Sequence, residues 1–176
     1  MDSMSTSAPP LPSIYLKPGD LYFGQAPAKV CTLLGSCVAL TLYSPECRTG
    51  AICHALLPCA EQGRRSEFHY VDTSIRWMVE RFAQEGIGPL RLTAKLFGGS
   101  DLIGGSTGRR RIPCVGRRNV DAALAVLEEV GLMLAALDVG GCCGRKVVFF
   151  THTGDVFARR NTRSPVGGPA EVCSGR

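Results

Sequence analysis

A cysteine stands directly after a glycine-serine turn in the stretch TLLGSCVAL, residues 32–40. Gly35 lets the backbone approach a ligand closely, since glycine has no side chain to obstruct it. Cys37 is therefore predicted to lie at the mouth of a strand, with backbone N–H groups around it. A thiol in such a place can act as a nucleophile if a neighbouring base removes its proton. The alternative is that Cys37 is one more buried thiol in a chain with nine cysteines.

The candidate bases for this thiol are the three histidines of the chain. His152 lies in the turn-like sequence FFTHTGD and His69 opens the first predicted helix, so we expect both to be polar surface residues. His54 lies within the apolar sequence AICHALLP, in the run that follows Cys37 after a turn. If the two strands pair as a hairpin, Cys37 and His54 can approach each other across it. The alternative for His54 is a core imidazole whose hydrogen bonds are satisfied.

The elements that must position these residues are predicted from the period of the apolar positions. The pattern indicates strands over 21–24, 29–34, 36–44, 50–57 and 90–97, helices over about 70–85 and 115–131, and a hairpin over 146–160 that turns at Thr153-Gly154. Strands and helices are mixed without regular βαβ alternation. We therefore predict an α/β fold, a single layered domain with mixed β-sheets and two main helices.

Composition predicts one folded domain between two tails. The chain has 176 residues, 45% of them hydrophobic, which suits one domain with a sizeable core. Residues 1–19 and 163–176 are rich in Ser, Pro and Gly and are predicted to be flexible tails around a domain at 20–162. The sequence shows neither a secretory signal nor an apolar run of membrane-spanning length, so we expect a cytoplasmic protein without membrane insertion.

The cysteines and the basic residues exclude several other functions. Nine cysteines, an odd number without a C-x-x-C pair, do not fit a disulfide framework or a structural zinc site, so we expect no metal and no cofactor. The net charge is +5, and arginines concentrate at Arg109–Arg111 and at Arg117 and Arg118. Aromatic residues are not interleaved with them, which favours a solvated loop or a patch for an acidic protein partner over nucleic-acid binding.

Several separated motifs resemble the CheD family of chemoreceptor glutamine deamidases. They are, in order, TLLGSCVAL, GAICHALLP, AKLFGG, VGRRNVDAALAVLEEVGL, DVGG and GRKVVFFTHTGDVFARR, within residues 20–160. The resemblance implies deamidation of selected glutamine side chains on methyl-accepting chemotaxis receptors. Hydrolysis of receptor glutamyl methyl esters is also ascribed to the family, and a CheC-type phosphatase is a further implied partner.

The resemblance also implies roles for particular residues. Cys37 falls on the family's nucleophilic cysteine and His54 on its histidine. The third member of the catalytic set is a threonine shortly before the cysteine, which we assign to Thr32 rather than to the position of Cys31. A shift of one residue on a strand changes the face that the side chain occupies. The alternative for Thr32 is an ordinary β-branched strand residue.

The remaining site predictions concern the backbone around the thiol. A developing oxyanion needs preorganised donors, and the N–H groups around Ser36 and Cys37 are the predicted ones. Gly98 and Gly99 are predicted to line the same cleft, the alternative being a plain loop after a strand. Cys53 is predicted to be core, because neighbouring residues of a strand point to opposite faces.

A second function hypothesis is a non-catalytic chemotaxis adaptor that docks on receptors or on a CheC-type phosphatase. The presence of both Cys37 and His54 favours the enzyme, because a docking module has no use for the pair.

Overall fold

The computed structural model describes residues 10–60, 68–101 and 114–161. These residues form nine strands and two α-helices, with a short 3-10 turn at Pro89–Arg91. The elements are β1 (Ser13–Tyr15), β2 (Leu21–Gly24), β3 (Lys29–Leu34), β4 (Val38–Ser44), β5 (Thr49–Cys53), α1 (Val71–Gln84), β6 (Thr93–Gly98), α2 (Val115–Glu129), β7 (Leu134–Val139), β8 (Gly144–Phe150) and β9 (Val156–Asn161). The predicted α/β fold with mixed sheets and two main helices is confirmed.

The strands form two sheets. One has four strands in the order β1-β3-β8-β9, and the other has five in the order β2-β5-β4-β6-β7. Both sheets are mixed, because β1 pairs with β3 and β6 with β7 in parallel while the other neighbours are antiparallel. The predicted antiparallel pairing of the two strands around residues 36–57 is found between β4 and β5.

The five-stranded sheet lies between two apolar layers, which makes the domain three layers thick. On one side it packs against the four-stranded sheet, through residues such as Ala39, Ile52 and Phe149. On the other side residues such as Leu40 pack against α1 and α2. Strands β4 and β5 are buried on both faces, which explains why their sequences are almost continuously apolar. Neither helix of the described segments is long and apolar enough to cross a membrane.

The four-stranded sheet begins inside the segment predicted to be an N-terminal tail. Residues 13–15 pair in parallel with residues 29–31, and Leu16 is buried in the core between the sheets. The sequence gives no strand signal at 13–15, because prolines flank the stretch and three residues show no periodicity. Pairing with β3 is what makes it a strand. Residues 1–9, the predicted tail 163–176 and the arginines at 109–111 lie outside the described residues.

Candidate active site

The register of β4 and β5 places Cys37 and His54 on one face of the five-stranded sheet. The antiparallel pairing continues past β5 through a bridge between Val38 and Ala55, whose two backbone hydrogen bonds measure 3.0 and 2.9 Å. In this register Cys37 lies opposite Leu56, two residues after His54. Alternate strand residues share a face, so Cys37 and His54 are diagonal neighbours, within the reach of cross-strand contact.

This face is the one turned towards the four-stranded sheet. Ala39 and Ile52 lie two residues from Cys37 and His54, respectively, and therefore on the same face. Both belong to the core between the sheets, and Cys37 packs against this core. Cys53 points the other way, into the core beneath the helices, as predicted. Burial raises the pKa of the Cys53 thiol to about 11. Cys53 is therefore protonated near neutral pH and unsuited to act as a nucleophile.

A hydrogen-bond chain from the other sheet orients the imidazole of His54. The Thr32 hydroxyl on β3 lies 2.7 Å from His54 Nδ1 and 3.0 Å from the Leu16 carbonyl oxygen. The carbonyl can only accept, so the single hydroxyl proton of Thr32 is directed to Leu16 and Nδ1–H donates to the hydroxyl oxygen. This tautomer leaves the lone pair on Nε2, the atom that could accept a proton from a substrate or a thiol.

The buried environment keeps His54 neutral. Its side chain is 2% exposed, and Nε2 has no hydrogen-bond partner among the residues that the structure describes. Burial lowers the pKa of His54, and the Leu16 carbonyl and the charge of Asp20 offset part of this effect. A neutral imidazole with a free Nε2 is the form that a general base requires.

The lowered pKa of His54 predicts a pH-dependent contribution to stability. Above about pH 6.5 the imidazole is neutral in both folded and unfolded chains. As the pH falls below this value, His54 becomes protonated in the unfolded chain but stays neutral in the folded chain. The free energy of unfolding therefore falls until the pH reaches the pKa of His54 in the folded chain. Urea unfolding between about pH 7.5 and about pH 5.5 should show a smaller loss for His54→Gln than for the wild type. An equal loss of unfolding free energy in the two proteins would contradict a lowered pKa for His54.

The thiol of Cys37 is half-buried, and its environment acts in two directions. Burial raises the pKa of Cys37, while its own backbone N–H, directed at the sulfur, lowers it. Together with the lowered pKa of His54, this favours a neutral thiol beside a neutral imidazole over a preformed ion pair. Such a pair can attack a carbonyl if the proton moves from sulfur to nitrogen during the attack.

The turn that carries Cys37 is held by its carbonyl groups. The carbonyl oxygens of residues 35, 36 and 37 accept hydrogen bonds from Ser100 N at 2.8 Å, Asn119 Nδ2 at 2.9 Å and Gly99 N at 2.8 Å, respectively. Three fixed carbonyls in succession leave the turn little freedom. Such a rigid turn is what a preorganised donor site needs.

The two predicted cleft glycines pack directly against this turn. Gly98 has φ of +106°, and a Cβ there would lie 2.2 Å from the Cys37 carbonyl oxygen. A Cβ on Gly99 would lie 2.3 Å from a methyl group of Val120 on α2. Both positions therefore require glycine, and the end of β6 packs directly against the turn that carries Cys37.

The sequence did not predict the buried arginine that contacts the end of β6 and the residues after it. Arg145 is 1% exposed, and its guanidinium donates to Ser100 Oγ at 2.7 Å, to Asp138 Oδ1 at 3.0 Å and to the Gly140 carbonyl at 2.9 Å. Two residues of the motif DVGG, Asp138 and Gly140, thus hold the arginine that anchors the Gly98–Ser100 segment. The strand sequence GRKVVFF gives no signal that its arginine is buried, because Ser100 lies 45 residues away and the turn that follows Asp138 must fold back before Asp138 and Gly140 can reach the guanidinium.

The other two histidines lie elsewhere. His69 precedes α1, and its carbonyl oxygen accepts hydrogen bonds from the amides of Leu56 and Leu57. His152 lies in the turn between β8 and β9, where its ring meets that of Phe150. Of the three histidines, His54 is the one that the sheet register brings beside Cys37.

Comparison with known proteins assigns the chain to a family. Residues 56–160 match the family described as CheD chemotactic sensory transduction. The chain is 50% identical to the probable chemoreceptor glutamine deamidase CheD 2 of Geobacter sulfurreducens over 161 residues, which cover 92% of this chain and 98% of the relative. It is 43% identical over 156 residues to the corresponding protein of Maridesulfovibrio salexigens, covering 84% of this chain and 91% of that one. The chain belongs to the CheD family.

Proposed function

We propose that the protein is a cysteine hydrolase that deamidates specific glutamine side chains of methyl-accepting chemotaxis receptors to glutamate, in the cytoplasm. The single observation that carries the proposal is the Thr32–His54 hydrogen bond of 2.7 Å on the face that also bears Cys37. It supports Cys37 as nucleophile, His54 as base and Thr32 as the group that orients the base. The relatives of the chain are named probable chemoreceptor glutamine deamidases.

The first half of the reaction forms a thioester. Cys37 Sγ attacks the side-chain carbonyl carbon of a receptor glutamine while its proton passes to His54 Nε2. The carbonyl oxygen becomes an oxyanion, which the N–H groups around Ser36 and Cys37 stabilise. The protonated His54 then gives the proton to the amide nitrogen, the C–N bond breaks, and ammonia leaves.

The second half of the reaction restores the enzyme. His54 Nε2 takes a proton from water as the water oxygen adds to the thioester carbon. The tetrahedral intermediate collapses with cleavage of the C–S bond, the sulfur regains its proton, and glutamate is released. A glutamyl methyl ester can follow the same course with methanol as the leaving group, so we extend the proposal to ester hydrolysis.

Thr32 is proposed as the orienting residue, in preference to Cys31. Neighbouring residues of β3 point to opposite faces, and it is the Thr32 hydroxyl that contacts His54. Thr32→Val keeps the shape but removes the acceptor for Nδ1–H. We expect the turnover number to fall by roughly tenfold or more, the equivalent of about 1.4 kcal/mol for one lost orienting hydrogen bond. Steady-state ammonia release measures the effect.

Two variants serve as controls for this prediction. Thr32→Ser retains the hydroxyl and should retain most of the activity. Cys31→Ala changes the neighbouring side chain on the opposite face and should turn over at nearly the wild-type rate. A large loss in Cys31→Ala with an unaffected Thr32→Val would reverse the assignment of the two positions.

The adaptor hypothesis and the CheC-type partner stay predictions. The arginines predicted to form a solvated loop or a patch for an acidic protein partner include Arg117 and Arg118, which lie at the start of α2. Arg117 pairs with Asp121 at 2.9 Å, so part of this charge is already neutralised.

Mass spectrometry of a purified receptor cytoplasmic domain after incubation with the protein tests the function. Conversion of particular glutamine peptides to glutamate peptides is the expected result. Binding of the receptor domain without any such conversion would favour the adaptor.

A further inference from the structure

A buried asparagine outside the predicted catalytic set connects the two chain segments that contain Cys37 and His54. Asn119 lies early in α2 and is fully buried. Its side-chain nitrogen donates to the Ser36 carbonyl at 2.9 Å and to the Leu56 carbonyl at 2.8 Å. Ser36 precedes the thiol, and Leu56 is the residue opposite Cys37 in the extended register. One amide group therefore holds both sides of the site.

The orientation of this amide is fixed by its partners. Both neighbours are carbonyl oxygens, which only accept, so the nitrogen must face them and a rotated amide would place oxygen against oxygen. The Asn119 Oδ1 atom is buried and has no partner among the described residues. Burying an unpaired oxygen is unfavourable, so Asn119 lowers the stability of the fold relative to an apolar side chain at this position.

The hydrogen bond to Ser36 determines where the Cys37 N–H points. In a planar trans peptide the C=O and N–H groups point in opposite directions. Since the Ser36 carbonyl is directed inward at Asn119, the Cys37 N–H of the same peptide is directed away from the helix. An N–H directed away from the helix is free to donate to an oxyanion formed on a carbonyl that the Cys37 sulfur attacks.

We propose that Asn119 is a positioning residue that aims the Cys37 N–H at the oxyanion by holding the Ser36 carbonyl. The inference rests on the proposed function, because an oxyanion forms only if Cys37 attacks a carbonyl. Asn119 touches neither the substrate nor the reacting atoms. It acts through the Ser36–Cys37 peptide.

Two reactions of the same thiol separate this role from a general structural one. Deamidation passes through an oxyanion, whereas alkylation of Cys37 by iodoacetamide is a displacement at a saturated carbon that needs no oxyanion donor. In Asn119→Ala we expect the turnover number for deamidation to fall by roughly 10²-fold. The Michaelis constant and the alkylation rate of Cys37, followed by peptide mapping, should change only a few-fold.

Matched variants guard against misfolding. Asn119→Leu keeps the branched shape and the number of side-chain heavy atoms and removes the donor, and it replaces Asn119→Ala if that protein melts below the assay temperature. Val126→Ala removes buried volume from the same helix and should lower the melting temperature without changing turnover. All rates are compared on proteins shown to be folded by circular dichroism.

The possible outcomes distinguish this proposal from the function itself. If wild-type protein deamidates and the Asn119 variants keep its turnover number, or lose deamidation and alkylation in parallel, the positioning role is wrong. If the wild type does not deamidate the receptor domain at all, the proposed function fails first. Loss of turnover with alkylation preserved supports both.

Discussion

Cys37→Ala is expected to abolish deamidation and to leave the fold intact. The side chain is half-buried at the edge of the core between the sheets, and alanine fits the same space. The turn around it is held by backbone carbonyls, none of which the substitution removes. Without the sulfur no thioester can form, so ammonia release should fall to the background of the assay.

Two further thiol variants sharpen this prediction. Cys37→Ser should be nearly inactive as well, because a hydroxyl is far less acidic than a thiol. Cys31→Ala, which removes a thiol from the opposite face of β3, should retain activity. A folded Cys37→Ala protein that releases ammonia at the wild-type rate would refute the nucleophile.

His54→Gln is expected to remove turnover while largely preserving receptor binding. General acid-base catalysis of this kind contributes about 10²–10⁴-fold to the rate. Glutamine keeps polarity and approximate size, and its amide can still meet the Thr32 hydroxyl, but it cannot shuttle a proton. The loss should appear in the turnover number, measured by ammonia release on protein whose folding has been checked by its melting temperature.

The same variant distinguishes the enzyme from the adaptor. In an adaptor, His54 is a packed strand residue, so its replacement should alter stability and docking together. In the enzyme, a pull-down with the receptor domain should be nearly unchanged while the mass shift on glutamine peptides disappears. Wild-type deamidation by His54→Gln would show that the imidazole is not the base.

The position of Cys37 and His54 on one face of the sheet could be predicted because it depends on local pairing. The two residues lie on strands joined by a short turn, and a hairpin has few possible registers. The bridge between Val38 and Ala55 then extends the pairing to the two positions themselves. The opposite orientation of Cys53 follows from the same alternation and is confirmed.

The groups that surround the pair could not be predicted from the residues alone. Thr32 reaches His54 from the other sheet, and Asn119 reaches the Cys37 turn from a helix more than eighty residues away along the chain. Such contacts depend on how layers pack, for which no period or spacing gives a signal. Burial of Arg145 has the same origin, since its partners Asp138 on β7 and Ser100 after β6 come together only when the sheets pack.

The electrostatics of the site refine the expected activation of the thiol. The sequence predicts a thiol that a neighbouring base deprotonates, and burial raises the pKa of Cys37 and lowers that of His54. These shifts favour a neutral thiol and a neutral imidazole, so in the proposed mechanism the proton moves as Cys37 attacks a carbonyl. Such a thiol is protected from indiscriminate reaction in a chain that acts on protein side chains.

The most direct test of the account is deamidation of a receptor cytoplasmic domain in water enriched in oxygen-18. Hydrolysis of a thioester on Cys37 predicts glutamate at particular former glutamine positions, each carrying one heavy oxygen, with no conversion by folded Cys37→Ala. Receptor peptides that stay glutamine with the wild type, although the two proteins bind, would contradict the account.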